Sequence, residues 1–139
     1  MIELEEYTQY DGLGLAKLVR QGQVSPRELV EAALAAIDLL DPQLNAVTQR
    51  FDKEALATAS GPLPEGPFRG VPFLVKDLLV SMAGIPTDCG SRYFKGWTRD
   101  HDSEIVRRWR AAGLIFVGKS NTPVLGANGA TEAVFGGAS

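Results

Sequence analysis

The spacing of apolar residues predicts a helical N-terminal part of the chain. Ser25 is a good N-cap, Pro26 fits the first helical position, and Glu28 completes a capping box. Gly22 closes the helix that precedes them. The predicted helices span residues 11–20, 26–42 and 52–60, and a short predicted strand spans residues 44–48. This part of the chain is therefore expected to begin as a helical hairpin.

The second half of the chain reads as strand, helix and strand. The predicted elements are a strand at residues 71–80, a helix at 102–112 and a strand at 114–117, with a loop-like tail from residue 118. Such an order predicts a parallel strand pair with a right-handed crossover. We therefore expect an α/β fold with a partial mixed β-sheet flanked by helices. The expected organisation is one domain portion, residues 1–139, with a helical part at 1–60, a proline- and glycine-rich loop at 61–70 and the strand–helix–strand unit at 71–139.

Lys76 interrupts the apolar strand predicted at residues 71–80. Leu74 shares one face with Lys76, and Val75 lies on the other, and both faces are mainly apolar, as in a strand covered on both sides. Removal of a lysine from water lowers its pKa, and a neutral amine is a usable base. The structural alternative is that Lys76 reaches solvent or pairs with a carboxylate such as Asp77.

Composition and charge exclude several classes of protein. The chain has 139 residues, 45% of them hydrophobic, and a net charge of −3 with both signs interspersed, so direct nucleic-acid binding is not expected. Cys89 and His101 are the lone residues of their types, which excludes an internal disulfide and the usual structural zinc site; as nucleophile and base they lack a nearby orienting group. With no signal peptide and no membrane-spanning run, a cytoplasmic protein without membrane contact is expected.

A nucleotide-binding loop is the main alternative that the motifs offer. Residues Gly113–Ser120 match G-x-x-x-x-G-K-[ST], in which Lys119 and Ser120 would contact phosphate and magnesium. However, the four intervening residues are strand formers, and the segment before Gly113 is predicted to be helical. A phosphate loop needs a turn there, after a strand. Pro123 still allows a following helix, so the alternative stays open.

Four segments together carry a family resemblance. They are residues 70–77 (GVPFLVKD), 84–87 with 90–92 (GIPT and GSR), 102–108 (DSEIVRR), and 110–113 running to 118–123 (RAAG and GKSNTP). In this order and spacing they resemble the amidase signature family of serine hydrolases, from about Leu13 to Gly136. The fold implied is the N-terminal part of that family's α/β/α domain.

The resemblance implies that Lys76 is the family's catalytic lysine. In that family the lysine takes a proton through a bridging serine in a cis peptide, so that a nucleophilic serine attacks an amide carbonyl. It implies hydrolysis of a small-molecule amide without metal or organic cofactor. Asn121, Asn128 and Thr131 are substrate-binding candidates, although ordinary loop hydrogen bonding is the alternative for each. Asp77 is expected to anchor structure.

The end of the chain departs from the family pattern. Thr131 and Glu132, followed by Phe135 and Gly136, match the segment just before the family's Gly/Ser-rich signature. Ser139 is therefore not expected to be a catalytic serine, although a shortened signature ending there is the alternative. The expectation is an N-terminal portion that is inactive and loosely packed alone. Assembly as a homo-oligomer or with a partner subunit is possible, and a non-catalytic truncated scaffold is a further alternative.

Overall fold

The computed structural model describes residues 2–133 and 137–139, so the motif residues Phe135 and Gly136 lie outside the described residues. The helices described are α1 (Leu4–Tyr7), α2 (Gly12–Arg20), α3 (Pro26–Leu44), α4 (Asp52–Ala59) and α5 (Glu104–Ala111). The strands described are β1 (Val47–Arg50), β2 (Pro72–Lys76), β3 (Ile115–Ser120), β4 (Glu132–Ala133) and β5 (Gly137–Ala138). Short 3-10 turns lie at Arg92–Phe94 and Val124–Gly126.

Three strands form the main sheet in the order β1-β3-β2. β2 runs parallel to β3, whereas β1 runs antiparallel to it, and β4 and β5 form a separate antiparallel pair. Helix α5 lies between the two parallel strands in the chain. The predicted α/β fold with a partial mixed sheet flanked by helices is confirmed.

Apolar clusters cover both faces of the sheet. On one face, buried residues of α3 and α4 pack against β3; they are Val30, Leu34, Ala55, Ala59, Ile115 and Val117. On the other face, Val106 and Trp109 of α5 pack with Val75 and Phe116. A third cluster joins α2 to the start of α3. Burial on both faces explains the near-continuous apolar character of β3.

A β-bulge interrupts the pairing of β2 with β3. Phe73 pairs with Phe116, but the next residue, Leu74, pairs with Gly118, so that Val117 is the extra residue in β3. A bulge of this kind shifts the alternation of side chains in the strand that contains it. Each side chain of β3 after Val117 therefore projects from the face of the sheet opposite to the one it would occupy in a regular strand.

Helix α3 begins as predicted and ends later. The Ser25 hydroxyl accepts a hydrogen bond from the Glu28 amide, and the Glu28 side chain accepts one from the Ser25 amide, which confirms the capping box. The helix then passes Pro42 and ends at Leu44, where Asn45 adopts a left-handed conformation with φ of 47°. The strand predicted at residues 44–48 is therefore displaced to Val47–Arg50.

The two strands of the parallel pair also differ from prediction. β2 ends at Lys76 rather than at residue 80, because the Leu78 amide donates to the Lys76 carbonyl at 2.8 Å and closes a tight turn. β3 continues to Ser120 rather than stopping at Val117, because Gly118 and the next two residues pair with both neighbouring strands. Among the residues described, no helix combines the length and the apolar character needed to cross a membrane.

Candidate active site

Lys76 is the last residue of β2 and lies beside Ser120 of β3. Both residues are at the carboxyl ends of parallel strands, the edge at which open α/β sheets bind ligands. Lys76 is exposed, and it makes no hydrogen bond or ion pair through its side chain with any residue in 2–133 or 137–139. This exposure differs from the burial expected from the apolar run, because β2 is an edge strand of the described sheet and Lys76 ends it.

A second lysine, Lys119, is fully buried in the neighbouring strand. Its Nζ atom donates to Asp77 Oδ1 at 2.9 Å, to the Pro86 carbonyl at 2.5 Å and to Thr87 Oγ1 at 2.7 Å. The Asp77 carboxylate also accepts the Asp88 amide at 3.2 Å. An ammonium group has three donors, so all three have acceptors here.

The bulge in β3 accounts for the meeting of Lys119 with Asp77. Lys119 pairs with Val75 after the bulge, and residues paired across strands share a face. Asp77 follows Val75 by two residues and so projects from the same face. Lys76 pairs with Ser120 on the opposite face. The two lysines therefore lie on different faces of the sheet at the same end.

Asn121 directly follows β3 and is held by local contacts. Its Nδ2 atom donates to the Asn45 carbonyl at 3.1 Å and to Ser139 Oγ at 2.9 Å, and its Oδ1 atom accepts the Thr122 amide at 2.9 Å. It also borders a pocket of about 260 Å³ that Asp77 and other polar residues line. The Asn121 side chain is therefore largely occupied by the chain itself.

Asn128 and Thr131 lie farther along the tail. Asn128 is exposed, and Thr131 is half-buried, with its carbonyl accepting the Ser139 amide at 3.0 Å. Ser139 Oγ donates to the Asn45 carbonyl at 2.6 Å. Hydrogen bonds thus connect the Thr131 segment, through Ser139, to Asn121. No hydrogen bond or ion pair within residues 2–133 and 137–139 connects any of these candidates to the Lys76 side chain.

The nucleotide-binding alternative is wrong. Residues 115–120 are a paired β-strand, so their amides are used in the sheet rather than turned towards a phosphate. Lys119, which would contact the phosphate, is buried and saturated by Asp77 and its neighbours. The helix α5 and the turn at Gly113 precede the strand, where a phosphate loop would require a strand.

The pairing of Cys89 with His101, considered from the sequence, also gains no support. Cys89 is fully buried, whereas His101 is exposed beside Asp100, so the two are not arranged as nucleophile and base. Within the described part of the chain, no three His, Cys, Asp or Glu side chains are grouped to hold a metal ion.

Asp102 anchors the loop that leads from β2 to α5. Its carboxylate accepts the Ala83 amide at 2.8 Å and Arg110 Nε at 2.8 Å. Burial acts to raise the pKa of Asp102, but these two hydrogen bonds, together with the positive charges of Arg110 and Arg107, hold the pKa below its ordinary value. The carboxylate form of Asp102 therefore fastens the loop to α5.

Sequence reasoning missed the buried Lys119–Asp77 pair. The available signal was a lysine two residues beyond the apolar run of β3, but the strand was expected to stop at Val117. A bulge depends on pairing between strands that are distant in the chain, so the local pattern does not reveal it.

Comparison with known proteins identifies the family. The Amidase family model matches residues 28–138. The 6-aminohexanoate-cyclic-dimer hydrolase of Paenarthrobacter ureafaciens is 41% identical over 125 residues, which are 88% of this chain and 25% of that protein. The acylamidase of Rhodococcus erythropolis is 34% identical over 126 residues, which are 85% of this chain and 26% of that protein.

A solved structure supports the same family assignment. The structure of 6-aminohexanoate cyclic dimer hydrolase complexed with substrate superposes with a TM-score of 0.88 and 37% identity, covering 99% of this chain and 28% of that one. The chain belongs to the amidase signature family. It spans about a quarter of the length of the curated relatives that it matches.

Proposed function

We propose that the complete protein hydrolyses the carbon–nitrogen bond of small-molecule amides, with Lys76 as its base. The observation that carries the proposal is the position of Lys76 at the carboxyl end of β2, free of any ion pair to the described residues, in a chain of the amidase signature family. A lysine ammonium group that is paired with a carboxylate gives up its proton less readily.

The proposed chemistry needs two serines supplied by polypeptide beyond the quarter of the family length seen here. Lys76 takes a proton through the bridging serine, and the nucleophilic serine oxygen bonds to the amide carbonyl carbon. The carbon–nitrogen bond then breaks, and the nitrogen leaves with the proton returned by the lysine. Water next attacks the acyl-serine ester by the same proton relay, which releases the acid and restores both serines.

The proposal also requires that the rest of the protein cover Lys76. Removal of a lysine side chain from water favours its neutral form, which is the form that accepts a proton. We expect the missing polypeptide to pack over the exposed end of β2. The 139-residue chain by itself is accordingly expected to hydrolyse no amide, since it lacks both the cover and the nucleophile.

The test is amide hydrolysis by the complete protein and two lysine variants. The probes are 6-aminohexanoate cyclic dimer and 4′-nitroacetanilide, a cyclic and an aryl amide. Lys76→Ala should lower kcat for any accepted amide by at least about a thousandfold, since the base of the relay is lost. The matched control is Lys53→Ala, an exposed lysine on α4, which should leave kcat unchanged.

Two outcomes would overturn the proposal. The first is a folded complete protein that hydrolyses neither probe nor any other small amide, which would favour the non-catalytic scaffold. The second is a Lys76→Ala variant with the turnover of the unmodified protein.

Assembly of the complete protein with a second copy or with a further protein chain is compatible with this function. Measurement of the size of the complete protein in solution tests for such assembly.

A further inference from the structure

We propose that the buried Lys119–Asp77 pair is a positioning unit for Lys76, an inference that rests on the proposed function. The pair is neither a base nor a ligand-binding site in this proposal. It fixes the backbone from which Lys76 projects, and so determines where the Lys76 amine meets the bridging serine.

Lys119 is unavailable for chemistry. Its side chain is fully buried, and the three donors of its Nζ atom are used by Asp77, by the Pro86 carbonyl and by the Thr87 hydroxyl. It also lies on the face of the sheet opposite Lys76, according to the strand register. An effect of Lys119 on catalysis must therefore pass through structure.

The pair holds the turn that directly follows Lys76. Asp77 is the central residue of the tight turn in which the Leu78 amide donates to the Lys76 carbonyl at 2.8 Å. The Asp77 amide donates to the Ser120 carbonyl at 3.0 Å, so the residue next to Lys119 holds the same turn. Leu79, two residues after Asp77, has a φ of 55°, a conformation unusual for leucine.

The Lys119 ammonium group also fastens the segment that follows the turn. Thr87, which accepts from Lys119, donates its own hydroxyl to the Val80 carbonyl at 3.2 Å. Lys119 thus connects β3, the turn after Lys76 and residues 80–88 through one ammonium group. Because this one group joins the three segments, a change at Lys119 allows the turn to relax.

The Lys119–Asp77 pair is charged at an interior position that apolar side chains more often fill. Well-packed apolar side chains usually stabilise a core as well as a buried ion pair does, or better, because burial of two charges is costly. A buried pair whose only effect were stability would therefore be replaceable by apolar residues. The directional hydrogen bonds of the ammonium group, which apolar residues lack, fix the geometry of the turn.

The test is a set of variants in the complete protein, each measured for melting temperature, kcat and KM on the two amides named above. Lys119→Met leaves the Asp77 carboxylate buried and unpaired, and should lower the melting temperature and kcat together. The double variant D77L/K119M removes both charges and should regain the melting temperature. We expect its kcat to stay about ten- to a hundredfold below that of the unmodified protein, with KM changed less than about threefold, since small misplacement of a reacting group costs about this much.

A purely structural role would give a different result. If D77L/K119M regains both the melting temperature and the unmodified kcat, the positioning proposal is wrong. Should this variant fail to melt cooperatively, Thr87→Val decides by the same criterion, because it removes one acceptor of Lys119 and keeps the charge pair. A folded Thr87→Val protein with unchanged kcat would then overturn the proposal.

The same experiment separates this inference from the proposed function. Absence of amide turnover in the unmodified protein, or full turnover in Lys76→Ala, would refute the function itself. Turnover that depends on Lys76 but not on the pair would refute the positioning role alone.

Discussion

Replacement of Gly118 by alanine should loosen one edge of the sheet and spare the other. Gly118 lies in the central strand β3, opposite Arg50 of β1 and Leu74 of β2. A Cβ atom at this position would lie 2.4 Å from the Gln49 carbonyl oxygen in β1. Ordinary contacts of a Cβ atom begin at 3.4 Å, so β1 would have to withdraw by about 1 Å. The contact with the flexible Leu74 side chain, at 3.3 Å, requires only a slight shift.

The size of the effect follows from this geometry. Overpacking of a well-filled interior costs about 1–3 kcal/mol, and a backbone atom cannot rotate away as a side chain does. If the cost falls on the β1–β3 pairing, amides that this pairing protects should exchange about 5- to 150-fold faster. The reporters are the Phe51 amide, which donates to the Val117 carbonyl at 3.0 Å, and the Asn121 amide, which donates to the Ala46 carbonyl at 2.7 Å.

The assay is hydrogen exchange with mass spectrometry on the complete protein, comparing peptides at the β1–β3 pairing, which contain Phe51 or Asn121, with peptides from β2. Gly129→Ala is the matched control, since a Cβ atom there meets nothing within 4 Å. Unchanged exchange in β1 of the Gly118→Ala variant would refute the reasoning. Equal acceleration in β1 and β2 would also refute it, since the clash is directed at β1.

Three further predictions concern stability. Leu29→Ala removes a fully buried side chain of α3 and should lower the free energy of unfolding in urea by about 2–5 kcal/mol, against at most about 0.5 kcal/mol for Leu39→Ala, whose side chain is largely exposed on the same helix. Because the pKa of Asp102 is lowered in the folded state, its contribution is present above about pH 4 and lost as the pH falls through the folded value. The stability difference from Asp102→Asn should therefore shrink below about pH 4, and a difference constant from about pH 7 to about pH 3 would contradict this. The 139-residue chain alone should bind an apolar dye and melt broadly, because apolar pockets of about 610 and 430 Å³ lie open around Phe73; a sharp melt of a monomer would count against this.

Local signals predicted α2 to α5 and the start of α3, whereas the short helix α1 was not predicted and α3 ends later than expected. Ser25, Pro26 and Glu28 act within one turn of helix, so neighbouring residues are sufficient to define the start of α3. The resemblance to the amidase signature family was likewise predictable, because its motifs are short and follow one another along the chain. The parallel pairing of the two strands around α5 followed from their order.

Features that depend on pairing between distant strands were not predictable. Judged from neighbouring residues alone, Gly118 would end a strand. Pairing with β1 and β2 nevertheless extends β3 past Gly118 to Ser120. The bulge at Val117 places Lys119 on the same face as Asp77, and so the buried lysine of the described chain is not the one that the apolar run indicated. The exposure of Lys76 reflects the edge position of β2, which the residues around Lys76 do not encode.

The strand order has a consequence for the nascent polypeptide. The central strand β3 is the last of the three to be made, and both strands that it joins precede it in the chain. As the ribosome extends the chain, β1 and β2 emerge without a hydrogen-bonding mate and must wait for residues 115–120. During that interval their open backbone edges are what a chaperone, or another nascent copy, would encounter first.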